Sequence, residues 1–125
     1  MQNASTNSKK VYDLEERTSK FSEDVIDFAK GLNRDSVTRP LITQLVRASS
    51  SVGANYCEAD CAESKKDFEH KMSICKKEAK EARYWLRLIA RAVPESKMSA
   101  RTLWREANEL QLIFVTIVRN SKTKN

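Results

Sequence analysis

Three glutamates, Glu58, Glu78 and Glu81, are the carboxylates whose positions first suggest chemistry. Glu58 paired with Glu78 or Glu81 has the composition of an acid–base couple or of a carboxylate metal site. Di-iron bundles, however, need a Glu-x-x-His pair on each of two helices. This chain has one histidine, His70, and the residue three before it is Asp67. The thiols make no stronger case. Cys57 and Cys61 lie one helical turn apart, Cys75 falls among apolar residues, and no C-x-x-C occurs, so zinc is not supported. Neither a glycine-rich phosphate loop nor an activated nucleophile is present. The expectation is a non-enzymatic protein with no cofactor and no metal.

The basic residues form a clearer pattern. Lys76, Lys80, Arg83, Arg87 and Arg91 recur at steps of four, three, four and four, which aligns them along one helical face. Arg101 and Arg105 make a similar pair further on. The chain carries 23 Lys and Arg against 17 Asp and Glu, a net charge of +6. Residues 1–63 have 8 basic and 10 acidic groups, residues 64–91 have 9 and 4, and residues 92–125 have 6 and 3. The positive charge therefore belongs to the second half. Two readings of the stripe stay open. Lys and Arg populate any solvated helix surface, and Glu69 and Glu81 dilute this one. The same stripe would bind the phosphates of RNA or DNA by counterion release, with little sequence preference. Base-stacking aromatics are few: Tyr84 lies beside the stripe and Tyr56 is expected to face the core.

Long helices are needed to align these side chains, and the composition supplies little else. Of 125 residues, 40% are hydrophobic, 32% charged and 7% aromatic. Two glycines and two prolines compare with roughly 15 of these residues at average usage. Sandwiches and barrels need turn residues at every reversal, which this chain lacks. No stretch approaches the roughly 18 consecutive apolar residues of a membrane span. The first ten residues lack the apolar segment of an export signal. Together with three cysteines, this predicts reduced thiols in a cytoplasmic protein. Residues 1–10 read as a disordered arm, 11–120 as one helical domain and 121–125 as a flexible tail.

Four helices are predicted. The first starts at Asp13 as N-cap, carries Leu14, Thr18, Phe21, Val25, Phe28 and Leu32 on one face, and stops at Gly31 to Asn33. Pro40 suits the first turn of the second, whose face is Leu41, Leu45, Ala48, Val52 and Ala59. The run Ser49 to Ala54 at its centre is small, which lets a neighbouring backbone come close. Ser64 and Asp67 open the third helix like a capping box. Its stripe is Phe68, Met72, Cys75, Ala79, Ala82, Leu86, Ile89 and Val93, and Pro94 ends it. Ser96 or Ser99 caps the fourth, whose stripe is Leu103, Ala107, Leu110, Phe114 and Ile117. Such helices with short joints predict an all-α, antiparallel up-down four-helix bundle. Arg17, Asn55, Glu58, Glu78 and Glu81 flank the buried faces and are expected to form an interhelical polar network that fixes register. On the third helix, Ile74, Trp85 and Leu88 lie off the main stripe. They read either as a surface covered by another subunit or as the edge of a wide stripe.

Several motifs also occur in a familiar order. They are Leu14-x-x-Arg17-Thr18-x-x-Phe21, the run Gln44 to Asn55 followed by Glu58-Ala59, Ser64-Lys65-Lys66-Asp67-Phe68, and Lys77-Glu78-Ala79-x-Glu81-Ala82-x-Tyr84-Trp85-Leu86. Over about residues 12–115 the chain resembles the four helix bundle protein family, the 23S rRNA intervening-sequence proteins encoded within bacterial large-subunit ribosomal RNA genes. Tyr56-Cys57 departs from the family pattern, which favours smaller or aliphatic residues there. The resemblance implies a bundle assembled as a ring-like homo-oligomer, a homopentamer. A related group, the retroelement accessory variability determinant proteins, binds nucleic acid and a reverse transcriptase through a basic barrel-shaped pentamer. The partners implied are thus further copies of the chain, RNA or DNA, and a reverse transcriptase for which the chain would act as an adaptor.

Overall fold

The computed structural model describes residues 13–123, and the expected arm at 1–10 lies outside them. Within this range the chain is all-helical, with four α-helices and no strand. They are α1 (Leu14–Lys30), α2 (Thr38–Asp60), α3 (Lys65–Ala92) and α4 (Lys97–Thr123), with a 3-10 turn at Pro94–Ser96.

The helix ends follow from local hydrogen bonding. Asp13 caps α1 by accepting from the Glu16 N–H at 3.3 Å, and Ser64 caps α3 by accepting from Asp67 N–H at 3.0 Å. The start of α2 is held from outside the helix. Asp35 Oδ1 accepts from the backbone N–H of both Val37 and Thr38 at 2.9 Å. These bonds hold the Asp35 carboxyl below its ordinary range. Pro40 sits in the first turn, where its missing N–H leaves no bond unmade. Gly31 ends α1 with an ordinary negative φ of −87°. The N–H groups of Gly31 and Leu32 donate to Phe28 O and Ala29 O at 3.2 Å, and Arg34 adds bonds to Ala29 O at 3.1 Å and, just past the helix, to Leu32 O at 3.0 Å. Neither serine expected to cap α4 does so. Ser96 turns its hydroxyl back to Val93 O at 2.7 Å, and Ser99 lies inside the helix. The fourth helix also continues through Thr123, past residue 120 where the sequence ended the domain.

The apolar stripes meet in one core. Phe21, Leu45, Met72, Leu86, Leu110 and Phe114 are fully buried within it, each such side chain contributing roughly 1.5–3 kcal/mol of transfer free energy. Two stripes drift at their C-terminal ends. In α1 the buried residue is Ala29 while Phe28 is half-buried, and in α4 it is Val118 while Ile117 is half-buried. A repeat of 3.5 falls behind the real 3.6 residues per turn, so the buried position moves on by one.

Close approach is visible where the sequence is small. Ser22 Oγ donates to Ser49 O at 2.9 Å, and a Cβ added to Gly53 would stand 3.4 Å from Thr18 Oγ1. Thr18 itself is buried and donates to Leu14 O at 2.7 Å within its own helix. Cys75 Sγ donates to Val52 O at 3.4 Å, joining α3 to α2. The most extensive packing is between α3 and its neighbours α2 and α4, while α1 packs mainly on α2 and more lightly on α4.

Candidate nucleic-acid interface

A groove of about 680 Å³ lies where the end of α3 and the start of α4 meet at the Pro94 turn. Arg87 and Arg91 line it from α3, and Lys97, Arg101 and Arg105 from α4. The half-buried Ala90 and Trp104 supply most of its apolar surface, and the buried Leu86 and Ala100 complete the apolar lining. The cations follow one another four residues apart along each helix, an advance of about 6 Å per step. The groove lining contains no carboxylate and no amide side chain.

The basic stripe is thus divided. Arg87, Arg91, Arg101 and Arg105 converge on the groove, while Lys76 and Lys80 stand outside it, one half-buried and one exposed. Arg83 turns inward. Its guanidinium lies 5.2 Å over the Trp104 ring and donates to Asn108 Oδ1 at 2.6 Å. It is a structural cation that backs the indole, and the groove wall does not include it.

What sets the groove apart electrically is the gathering of five cations in a lining that holds no carboxylate. Some cations elsewhere are paired, Lys20 with Asp24 at 2.9 Å, Lys71 with Glu58 at 2.6 Å and Lys122 with Glu69 at 4.0 Å, while others, such as Lys76, Lys80 and Arg119, form no ion pair among the described residues. None of the five groove cations forms an ion pair among the described residues. Arg105 also borders the cleft between α1 and α4, where Glu106 and Glu109 are occupied by Arg17. Like charges gathered in a concavity with apolar walls focus a positive potential and favour an anion there.

The expected single polar network is three separate clusters. Arg17 makes a two-pronged contact with Glu106, Nε to Oε2 at 2.7 Å and Nη2 to Oε1 at 2.9 Å, and reaches Glu109 at 2.6 Å. The Glu106 hydrogen bond holds this guanidinium above its ordinary value against the opposing effect of burial. Glu78 and Glu81 pair with Arg47 of α2, Glu78 at 3.3 Å. The hydrogen bond that Arg47 donates to Glu78 likewise holds that guanidinium above its ordinary value. Glu58 holds Lys71, whose value it raises. Asn55 donates to Ser51 O at 2.9 Å on its own helix and forms no hydrogen bond to another helix among the described residues. Arg47 and Arg17 therefore fix α2 to α3 and α1 to α4 independently.

Ile74, Trp85 and Leu88 are half-buried. Trp85 packs on the core, meets the Tyr84 ring edge-on at 5.1 Å and donates from Nε1 to Glu81 at 3.4 Å. Tyr84 is the exposed member of that pair, and Tyr56 packs partly buried against the core. Cys57 and Cys61 are exposed, whereas burial pushes the Cys75 thiol up to about 12. Among the described residues no group of three or more His, Cys, Asp or Glu side chains is placed to hold a metal ion.

Two residues of the groove escaped the sequence pattern. Lys97 is one four-residue step before Arg101 and so extends the row of α4. Trp104 sits between Arg101 and Arg105 in the chain and is half-buried rather than core. The Arg83 guanidinium lies over its ring, a contact that spacing alone does not reveal.

These features define a class first: a protein whose described residues form four helices with a cationic groove between two of them, and no helix among those residues is long and apolar enough to cross a membrane. The chain belongs to the 23S rRNA-intervening sequence protein family, which matches residues 8–116. It is similar to a protein of unknown function from the S23 ribosomal protein family of Bacteroides thetaiotaomicron, solved by crystallography. The two share 26% identity, with 88% of this chain and 98% of the other covered at a TM-score of 0.79. No curated protein matches the chain by sequence.

Proposed function

We propose that this protein is a non-enzymatic, self-associating antiparallel bundle of the cytoplasm that binds RNA or DNA with little sequence preference through the groove between α3 and α4. The observation that carries the reading is the gathering of five cations in one concavity whose lining holds no carboxylate, none of them in an ion pair among the described residues. Phosphates neutralise such a set and release their own counterions. The missing amide and carboxylate side chains remove the usual readers of adenine and cytosine edges. Catalysis has no support there, since Glu58, Glu78, Glu81, Glu106 and Glu109 are all engaged in ion pairs. The up-down arrangement is favoured by contacts whose numbers rise on one helix and fall on the next, such as Lys71–Glu58 against Glu78–Arg47. Self-association into a ring, with five copies as the family resemblance implies, would use the half-buried Ile74, Trp85 and Leu88.

The experiment is a binding titration against salt. Five phosphate contacts predict a slope of log K on log salt of roughly −3.5 to −4.5, or about 100- to 500-fold weaker binding between 50 and 200 mM salt. Arg91→Glu with Arg101→Glu should flatten the slope by at least about 1.5. Absence of binding at low salt, or a slope unmoved by the double variant, refutes the reading. A tight complex with a protein such as a reverse transcriptase, without affinity for naked nucleic acid, would mark an adaptor instead. Light scattering tests the assembly, and a monomeric mass would remove that part.

A further inference from the structure

The groove holds something a phosphate-binding surface does not need, an aromatic and apolar floor. Trp104 and Ala90 form most of it, and the buried Leu86 and Ala100 complete it. Trp104 is half-buried, and its ring is fixed by the Arg83 guanidinium 5.2 Å away, itself held by Asn108 at 2.6 Å. Arg83 thus acts as a positioning residue that orients the indole without lining the groove. A duplex keeps its bases stacked inside and offers only phosphates and sugars to a seam between two helices, so it would leave this floor unused. An unpaired strand offers both a charged backbone and exposed base faces. The volume of about 680 Å³ lies within the roughly 300–1,000 Å³ of sites for small organic ligands, which a nucleotide resembles in size.

We propose that the groove is a single-strand site, with phosphates on Arg87, Arg91, Lys97, Arg101 and Arg105 and a base stacked on Trp104. This deepens the nucleic-acid reading and rests on it. Stacking is indifferent to base identity because every base has a π-face, which agrees with a groove that lacks amide and carboxylate readers.

The test compares short oligo(U) and oligo(dT) with a duplex of equal length on the full chain at one low salt concentration. The single strands should bind more tightly than the duplex and quench tryptophan fluorescence in a Trp85→Phe background. Trp104→Leu should weaken single-strand binding about 5- to 150-fold and leave duplex binding unchanged. Trp104→Phe should restore most of the difference, and thermal melts confirm that each variant is folded. A duplex that binds as tightly as oligo(U) and oligo(dT), with charge reversal abolishing both, overturns the single-strand site while the phosphate-binding reading stands. Loss of binding to every probe overturns both. Unequal affinity for oligo(U) and oligo(dT), with Trp104 still required, supports the site and shows which of the two strands it prefers.

Discussion

Replacing Arg17 by methionine isolates the charge that ties α1 to α4, because methionine preserves much of the apolar stem. Arg17 and Glu106 side chains are 27% and 32% exposed and share two hydrogen bonds. Desolvated charged hydrogen bonds contribute about 1.5–3 kcal/mol, and fully exposed ion pairs about 0.2–1 kcal/mol. Partial exposure places this contact between the two, at about 1–2 kcal/mol, and the more exposed Glu109 adds little. For a domain of this size that is roughly 4–8 °C in Tm. Since Glu106 holds the guanidinium above its ordinary value, the contribution is fully present at neutral pH. On the alkaline side it is lost as pH rises through that raised value. The assay is a double-mutant cycle by thermal melting at pH 7, using Arg17→Met, Glu106→Gln and the double variant. A coupling of about 1 kcal/mol is expected. A change below about 1 °C for Arg17→Met, or additive single effects, would refute the argument that this contact closes the bundle.

Three further outcomes follow from the fold. Gly53→Ala should raise Tm by about 2–4 °C, since alanine gains nearly 1 kcal/mol of helix propensity and its Cβ meets Thr18 at an ordinary contact distance of 3.4 Å. Gly53→Leu should lower it, and a Tm scan that ranks the two the other way would contradict the packing of α1 on α2. Asp35→Ala should lower Tm at neutral pH. Because the folded carboxyl is held below its ordinary value, the gap from wild type should persist above about pH 4 and close as acid protonates the folded group, which melts across pH will show. Native alkylation at pH 8 should modify the exposed Cys57 and Cys61 and spare Cys75, whose thiol is pushed up to about 12. Mass spectrometry before and after denaturation reads this directly.

Periodicity located the four helices because each stripe is a local property. Leu14, Phe21 and Val25, or Met72, Cys75 and Ala79, needed no knowledge of their neighbours. Asp13 and Ser64 were legible as caps for the same reason. Asp35 and Arg34 were not, since they act from a loop whose path the sequence does not print. Partner choice was illegible too. Spacing put Arg17 beside a buried face, but Glu106 is 89 residues away on a helix that packing alone brings near. The groove was half-visible. Arg87, Arg91, Arg101 and Arg105 declared themselves by step, whereas the inward turn of Arg83 and the recruitment of Lys97 and Trp104 required the helix junction to be in place.

That junction has a consequence for how the site is acquired. Every residue of the groove comes from the contiguous stretch 86–105, so its closure costs little chain entropy and needs no distant strand or terminus. The hairpin can take shape as soon as its two arms meet, early in folding and during synthesis. Loosening of the lightly packed α1 would then leave the groove lining in place, whereas α2, packed extensively on α3, goes on supporting it.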